Sequence, residues 1–98
     1  MSSFSELINQ PKPVLIDFFA DWCGPCKAVA PILHNVKGQF GDQVSILKID
    51  VDKNQALAAK YQIRGVPTLM IFKEGKQIWR QSGVVPESEL SRILKETI

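Results

Sequence analysis

From Val14 to Ala20 the chain is almost continuously apolar, and the one interruption, Asp17, stands at its centre. A run this short, without alternation, predicts a strand covered on both faces. Downstream, Val29, Ile32, Leu33, Val36 and Phe40 recur at helical spacing. They predict a helix from about Pro25 to Phe40, closed by Gly38, Gly41 and Asp42. Pro25 suits the first helical turn, whereas Pro31 lies inside and removes a backbone donor.

The remaining segments follow the same logic. Ser3 to Asn9 carries a capping-box pair, Ser3 with Glu6, and apolar Phe4, Leu7 and Ile8; it predicts a short helix ended by Gln10-Pro11-Lys12-Pro13. Val44 to Asp50 predicts a second strand, and Asn54 caps a short helix through Tyr61, with Leu57, Ala58 and Tyr61 turned inward. Thr68–Phe72 and Gln77–Gln81 predict two strands joined by a hairpin turn at Lys73-Glu74-Gly75-Lys76. Pro86 opens a last helix whose apolar face is Leu90, Ile93, Leu94 and Ile98. Helices thus separate the early strands, which predicts one α/β domain over residues 1–98, with the first two strands parallel and the last two antiparallel.

A chain of 98 residues, 45% hydrophobic, suffices for one core and one site. Its 12 basic and 10 acidic residues leave a net charge of +2 without a cationic cluster, so nucleic acid and membrane surfaces are not expected partners. The first ten residues lack the apolar run of a secretion signal, and no apolar stretch approaches the roughly 20 residues that span a bilayer. The expectation is a soluble, unexported, cytoplasmic protein.

Chemistry enters with the cysteines, Cys23 and Cys26 in Trp22-Cys23-Gly24-Pro25-Cys26. Closing so short a loop takes little entropy from the unfolded chain, so stabilisation is a poor reason for the pair. Residues three apart at a helix start have β-carbons roughly 5–6 Å apart, and a disulfide needs about 4 Å, which permits reversible bonding. At the helix N-terminus Cys23 is favoured as thiolate and is the expected nucleophile. Cys26, one turn in and less exposed, is the expected resolving thiol. Gly24 allows close backbone approach, and Pro25 stiffens the turn. A zinc site would need four ligands, and His34 alone adds to the pair, so no metal is expected. His34 is expected at the helix surface. An inert buried pair fits the spacing before a helix poorly.

Asp17 leaves two readings open. Buried among Leu15, Ile16, Phe18 and Phe19, its pKa would be raised, and it could take a proton from Cys26. Equally, it could be an exposed strand residue or a structural carboxylate paired with a cation.

The segment Phe18-Phe19-Ala20-Asp21-Trp22-Cys23-Gly24-Pro25-Cys26-Lys27 closely resembles the active site of the thioredoxin family. The resemblance extends through Asp17, Pro31, Lys48, Asp50, Gly65-Val66-Pro67-Thr68, Phe72, Gly75 and Gly83, covering nearly the whole chain from Val14 onward. It implies a thioredoxin-like fold and a general protein-disulfide reductase. It also implies no bound cofactor, with electrons supplied from NADPH through a flavin-containing thioredoxin reductase, and partners that are diverse disulfide-containing proteins. The Gly-Pro dipeptide resembles the reducing members rather than oxidants or isomerases, which share the fold; a scaffold whose cysteines are incidental is a further alternative.

For the site, the resemblance implies that Asp17 is buried and functional, with Lys48 a modulating partner in the neighbouring strand. It implies a cis Val66–Pro67 bond and a flat apolar contact surface of Trp22, Gly65, Val66, Pro67, Gly83 and Val84 around Cys23. Three departures stand out. The usual strand before the first helix is missing, which implies a sheet of about four strands with Val44–Asp50 at an edge open to self-association or to another chain, in a protein otherwise expected to be a monomer. Phe19 stands where many members carry Trp, while Trp79 is expected to be a packing residue. Val84 replaces a commoner small residue.

Overall fold

The computed structural model describes residues 3–98. Helix α1 (Phe4–Ile8) is followed by strand β1 (Val14–Phe19), helix α2 (Gly24–Phe40), strand β2 (Ser45–Asp50), helix α3 (Gln55–Lys60), the hairpin β3 (Thr68–Lys73) and β4 (Lys76–Ser82), and helix α4 (Glu87–Thr97). A 3-10 turn, Gly41–Gln43, links α2 to β2. The strands form one mixed sheet in the order β2-β1-β3-β4, with β1 parallel to β2 and antiparallel to β3, and β3 antiparallel to β4. The β1–β2 and β3–β4 directions are those the connections predict, the β1–β3 pairing is one the sequence reading did not reach, and β2 is at the edge.

The side chains of β1 point alternately to two cores, which explains its unbroken hydrophobicity. Leu15 joins Val29, Leu33, Val36 and Phe40 of α2 with Leu90, Ile93 and Leu94 of α4 on one face. Ile16 and Phe18 join Ile8 and Met70, under Leu57 and Tyr61, on the other. Trp79 packs half-buried on the α2/α4 side. The phase of this alternation places Asp17 on the face covered by α2.

Some boundaries and faces differ from the sequence reading. Ala20 and Val44 are buried but lie one residue outside their strands. Asn54 precedes α3 without a side-chain cap, because its Nδ2 donates instead to the Asp50 carbonyl at 3.0 Å. Ile98 does not extend the apolar face of α4; it follows the last helical turn and is 50% exposed. The buried polar member of that helix is Ser91, whose hydroxyl donates to Gln39 Oε1 at 2.8 Å.

The β3–β4 turn needs positive φ at both central residues, Glu74 (54°) and Gly75 (81°), the twist that suits a two-residue hairpin. Their N–H groups donate to the carbonyls of Gln10 (2.7 Å) and Ile8 (3.1 Å), tying the hairpin to the end of α1.

Candidate active site

The site is built where β1 ends and α2 begins. After Phe19 the chain turns through Ala20-Asp21-Trp22, closed by the Cys23 N–H donating to the Ala20 carbonyl at 3.1 Å. Cys23 is the N-cap of α2. Its Sγ accepts the Cys26 N–H at 3.1 Å, taking the place an oxygen side chain holds in an ordinary cap. Cys23 and Cys26 are joined as a disulfide, with Cα atoms 5.3 Å apart. Both are buried, Cys23 at 3% and Cys26 at 7% exposure, so the sequence expectation of a more exposed Cys23 does not hold. Cys23 packs with Ala20, Cys26, Phe19, Val51 and Val66. The asymmetry between the sulfurs lies in hydrogen bonding: once the disulfide is reduced, the helix N-terminus and its amide favour a thiolate on Cys23.

The second wall comes from the loop before β3. The Val66–Pro67 bond is cis, as the resemblance implies. Cys23 Sγ lies 3.5 Å from the Val66 carbonyl oxygen, a contact in the disulfide and a thiol donor's reach in the protonated reduced form. Thr68 holds the loop by donating its hydroxyl to the Gly65 carbonyl at 2.7 Å. Gly83, at φ +91°, donates its N–H to the Pro67 carbonyl at 2.8 Å and requires glycine for that conformation. A Cβ at Gly24 or Gly65 would meet nothing within 4 Å, so the close approach expected at Gly24 is not made within the chain.

Trp22, next to Cys23 in the chain, is 73% exposed and Val84, next to Gly83, is 41% exposed, while Pro67 is buried. Trp22 is oriented by Nε1–H donating to Asp52 Oδ2 at 2.9 Å. A shallow groove of about 190 Å³ runs between Trp22 and Val66 over Val51, Ile63 and Arg64. Asp52 was not singled out by the sequence; it sits 30 residues from Trp22, and no local pattern marks it.

A second cleft, of about 260 Å³, is bordered by Phe19, Ala20, Asp21, Cys26, Lys27, Ala30 and Lys48. Asp17, the strand neighbour of Lys48, is 1% exposed, and neither carboxylate oxygen has a hydrogen-bond partner among the described residues. Burial raises its pKa from 3.8 to about 6, against the opposing pull of the Lys48 charge. Lys48 is the direct β2 neighbour of Asp17 but forms no ion pair with it; its Nζ lies 4.9 Å over the Phe19 ring. Of the open readings of Asp17, the exposed and the ion-paired ones are therefore excluded. His34 is exposed on α2.

A mixed sheet carrying a Cys-Gly-Pro-Cys disulfide at the start of its long helix defines a thiol–disulfide oxidoreductase with a thioredoxin-like fold. Comparison with known proteins narrows the class. A sequence model of the family described as Thioredoxin matches residues 1–96. The chain is 44% identical over 89 residues to Thioredoxin 1 of Synechococcus elongatus, covering 91% of this chain and 83% of that protein. It is 39% identical over 94 residues to a thioredoxin of Haemophilus influenzae, covering 96% and 88%. A mutant thioredoxin from Halobacterium salinarum superposes with a TM-score of 0.87 at 38% identity, over 99% of this chain and 87% of that one. The chain belongs to the thioredoxin family, and its redox centre is the disulfide itself.

Proposed function

We propose that the protein is a general reductase of protein disulfides, and the observation that carries this reading is the Cys26 N–H aimed at Cys23 Sγ at a helix start. In the reduced protein, the Cys23 thiolate attacks a target disulfide; one target sulfur leaves and takes a proton, and Cys23 is held in a mixed disulfide. Cys26 then gives its proton to the Asp17 carboxylate and attacks Cys23 Sγ. The second target thiol is released, two electrons have passed to the target, and the Cys23–Cys26 disulfide remains.

The surrounding residues take supporting roles. Lys48 lowers the cost of charge on Asp17, opposing its desolvation. Trp22, Gly65, Val66, Pro67, Gly83 and Val84 receive an extended target segment; Gly24 and Gly65 leave open space for it, and Pro25 sets the helix start. Every reacting group belongs to one chain, so the working unit is a monomer.

The disulfide is returned to dithiol by a flavin-containing thioredoxin reductase drawing on NADPH, and the chemistry suits a reducing compartment such as the cytoplasm. The test is insulin-disulfide reduction with NADPH and thioredoxin reductase, together with equilibration against glutathione. Turnover with a disulfide that resists glutathione is expected; ready reduction by glutathione would make the protein an oxidant instead.

A further inference from the structure

We infer that Arg80 of β4 is a positioning residue for target binding, which rests on the reading of the groove beside Trp22 as the surface that receives target proteins. Its guanidinium fixes the start of the loop that ends in Val66 and the cis Pro67. The strand alternation that packs Trp79 against the α2/α4 core turns Arg80 to the opposite face, where Tyr61 packs. There Nη1 donates to the Tyr61 carbonyl at 2.5 Å and Nη2 to the Gln62 carbonyl at 2.9 Å. Both carbonyls follow directly on α3, at the negative end of its dipole, and a planar guanidinium takes the two at once where an ammonium is a point charge.

The loop needs holding at this point. Gln62 has φ +53°, a left-handed conformation that glycine adopts freely and a residue with a Cβ adopts at a cost. The Gln62 and Ile63 N–H groups return to the carbonyls of Ala59 (3.0 Å) and Ala58 (2.9 Å), the pattern that usually ends a helix on glycine. Here glutamine fills that place, and Arg80 adds two charge-assisted bonds to hold it.

Only Ile63, Arg64 and Gly65 separate Gln62 from Val66. The far end of the loop is gripped from the same strand: Thr68 Oγ1, which donates to the Gly65 carbonyl, lies 3.0 Å from Ser82 Oγ, and the Gly83 N–H donates to the Pro67 carbonyl at 2.8 Å. Arg80 is the grip at the entry. Between the two grips, Ile63, Arg64, Gly65 and Val66 form one wall of the groove whose other wall is Trp22 and Val51. Loss of the entry grip lets that wall move, which affects a protein target lying along it more than a small disulfide that needs only Cys23.

The test is the second-order rate at which the chemically reduced chain attacks insulin disulfides and the small, neutral hydroxyethyl disulfide. Arg80→Ala should slow attack on insulin about fivefold and leave the hydroxyethyl disulfide rate within about twofold of native. Adding Gln62→Gly should restore most of the insulin rate, since glycine holds the left-handed turn without help. That rescue separates positioning from recruitment of acidic targets by the Arg80 charge, which Gln62→Gly does not replace. Equal losses on both substrates, no loss on insulin, or a loss that Gln62→Gly does not repair would each overturn the inference alone. A native chain inert toward insulin would overturn the reductase reading and the inference with it.

Discussion

Cys23 Sγ accepts the backbone N–H of Cys26 at 3.1 Å, so the atom that would attack a target also caps the helix that carries its resolving partner. The same sulfur lies 3.5 Å from the Val66 carbonyl. Negative charge on Cys23 is welcomed by the amide and opposed by the carbonyl. A target disulfide arriving beside Val66 therefore meets a sulfur held ready on one side and confined on the other.

Replacing the cysteines singly should separate their tasks. Cys26→Ser should accumulate a mixed disulfide through Cys23, visible by mass spectrometry under non-reducing conditions, because nothing remains to resolve it. Cys23→Ser should form none with protein disulfides and should lose reductase turnover to background. Adducts of equal yield on either cysteine would refute the assignment of the nucleophile.

Asp17 should impose a pH dependence on resolution. With its pKa raised to about 6 by burial, the carboxylate is available as a base above that pH and lost below it. The rate of mixed-disulfide resolution should climb through about pH 6 in the native chain. In Asp17→Asn that step should flatten, with a loss on the order of 10- to 100-fold at neutral pH. Stopped-flow rates that superpose across pH would remove Asp17 from the proton transfer.

Trp22 offers a cleaner division between binding and folding. At 73% exposure it contributes little to the core, so Trp22→Ala should change stability by no more than about 0.5 kcal/mol. Its loss should nevertheless lower kcat/KM for protein disulfides by roughly tenfold while affecting small disulfides much less, since only large targets reach the groove beside Val66. Equal losses for both substrate sizes would place Trp22 in the chemistry rather than in docking.

The degree to which the chain discloses itself varies with the range of the interaction. β1 was legible because burial on both faces writes an unbroken apolar run, and Asp17 was legible as the exception to it. The cysteine pair was legible because its chemistry lies within one helical turn. The relative exposure of Cys23 and Cys26 was not, because the Val66 loop that covers Cys23 arrives from 43 residues away. Asp52 was silent for the same reason, and Ile98 misled because helical periodicity continues past the point where the last turn stops.

Leu94 and Ile98 make that last point measurable. Leu94, on α4, is fully buried in the core it shares with α2 and the sheet, and Leu94→Ala should cost about 2–5 kcal/mol. Ile98→Ala, at a half-exposed site beyond the helix, should stay within about 0.5 kcal/mol. Urea unfolding of both variants should show the contrast, and comparable losses would return Ile98 to the core.

The buried carboxylate should also be visible as a stability defect. In the unfolded chain Asp17 titrates near its ordinary value of 3.8, whereas in the fold burial raises it to about 6, so the native state holds its proton over a range where the unfolded chain has released it. The fold is therefore least penalised below about pH 4, and the penalty grows as pH rises, reaching its full size above about pH 6. The span from 3.8 to about 6 corresponds to about 3 kcal/mol. Asn cannot ionise, so Asp17→Asn should be more stable than the native chain at about pH 8 by up to that amount, and the advantage should shrink on acidification and vanish below about pH 4. Denaturant unfolding of the oxidised forms across this range is the measurement. A variant that gains nothing at pH 8, or gains equally at all pH values, would show that the Asp17 carboxylate is not carrying an uncompensated charge in the fold.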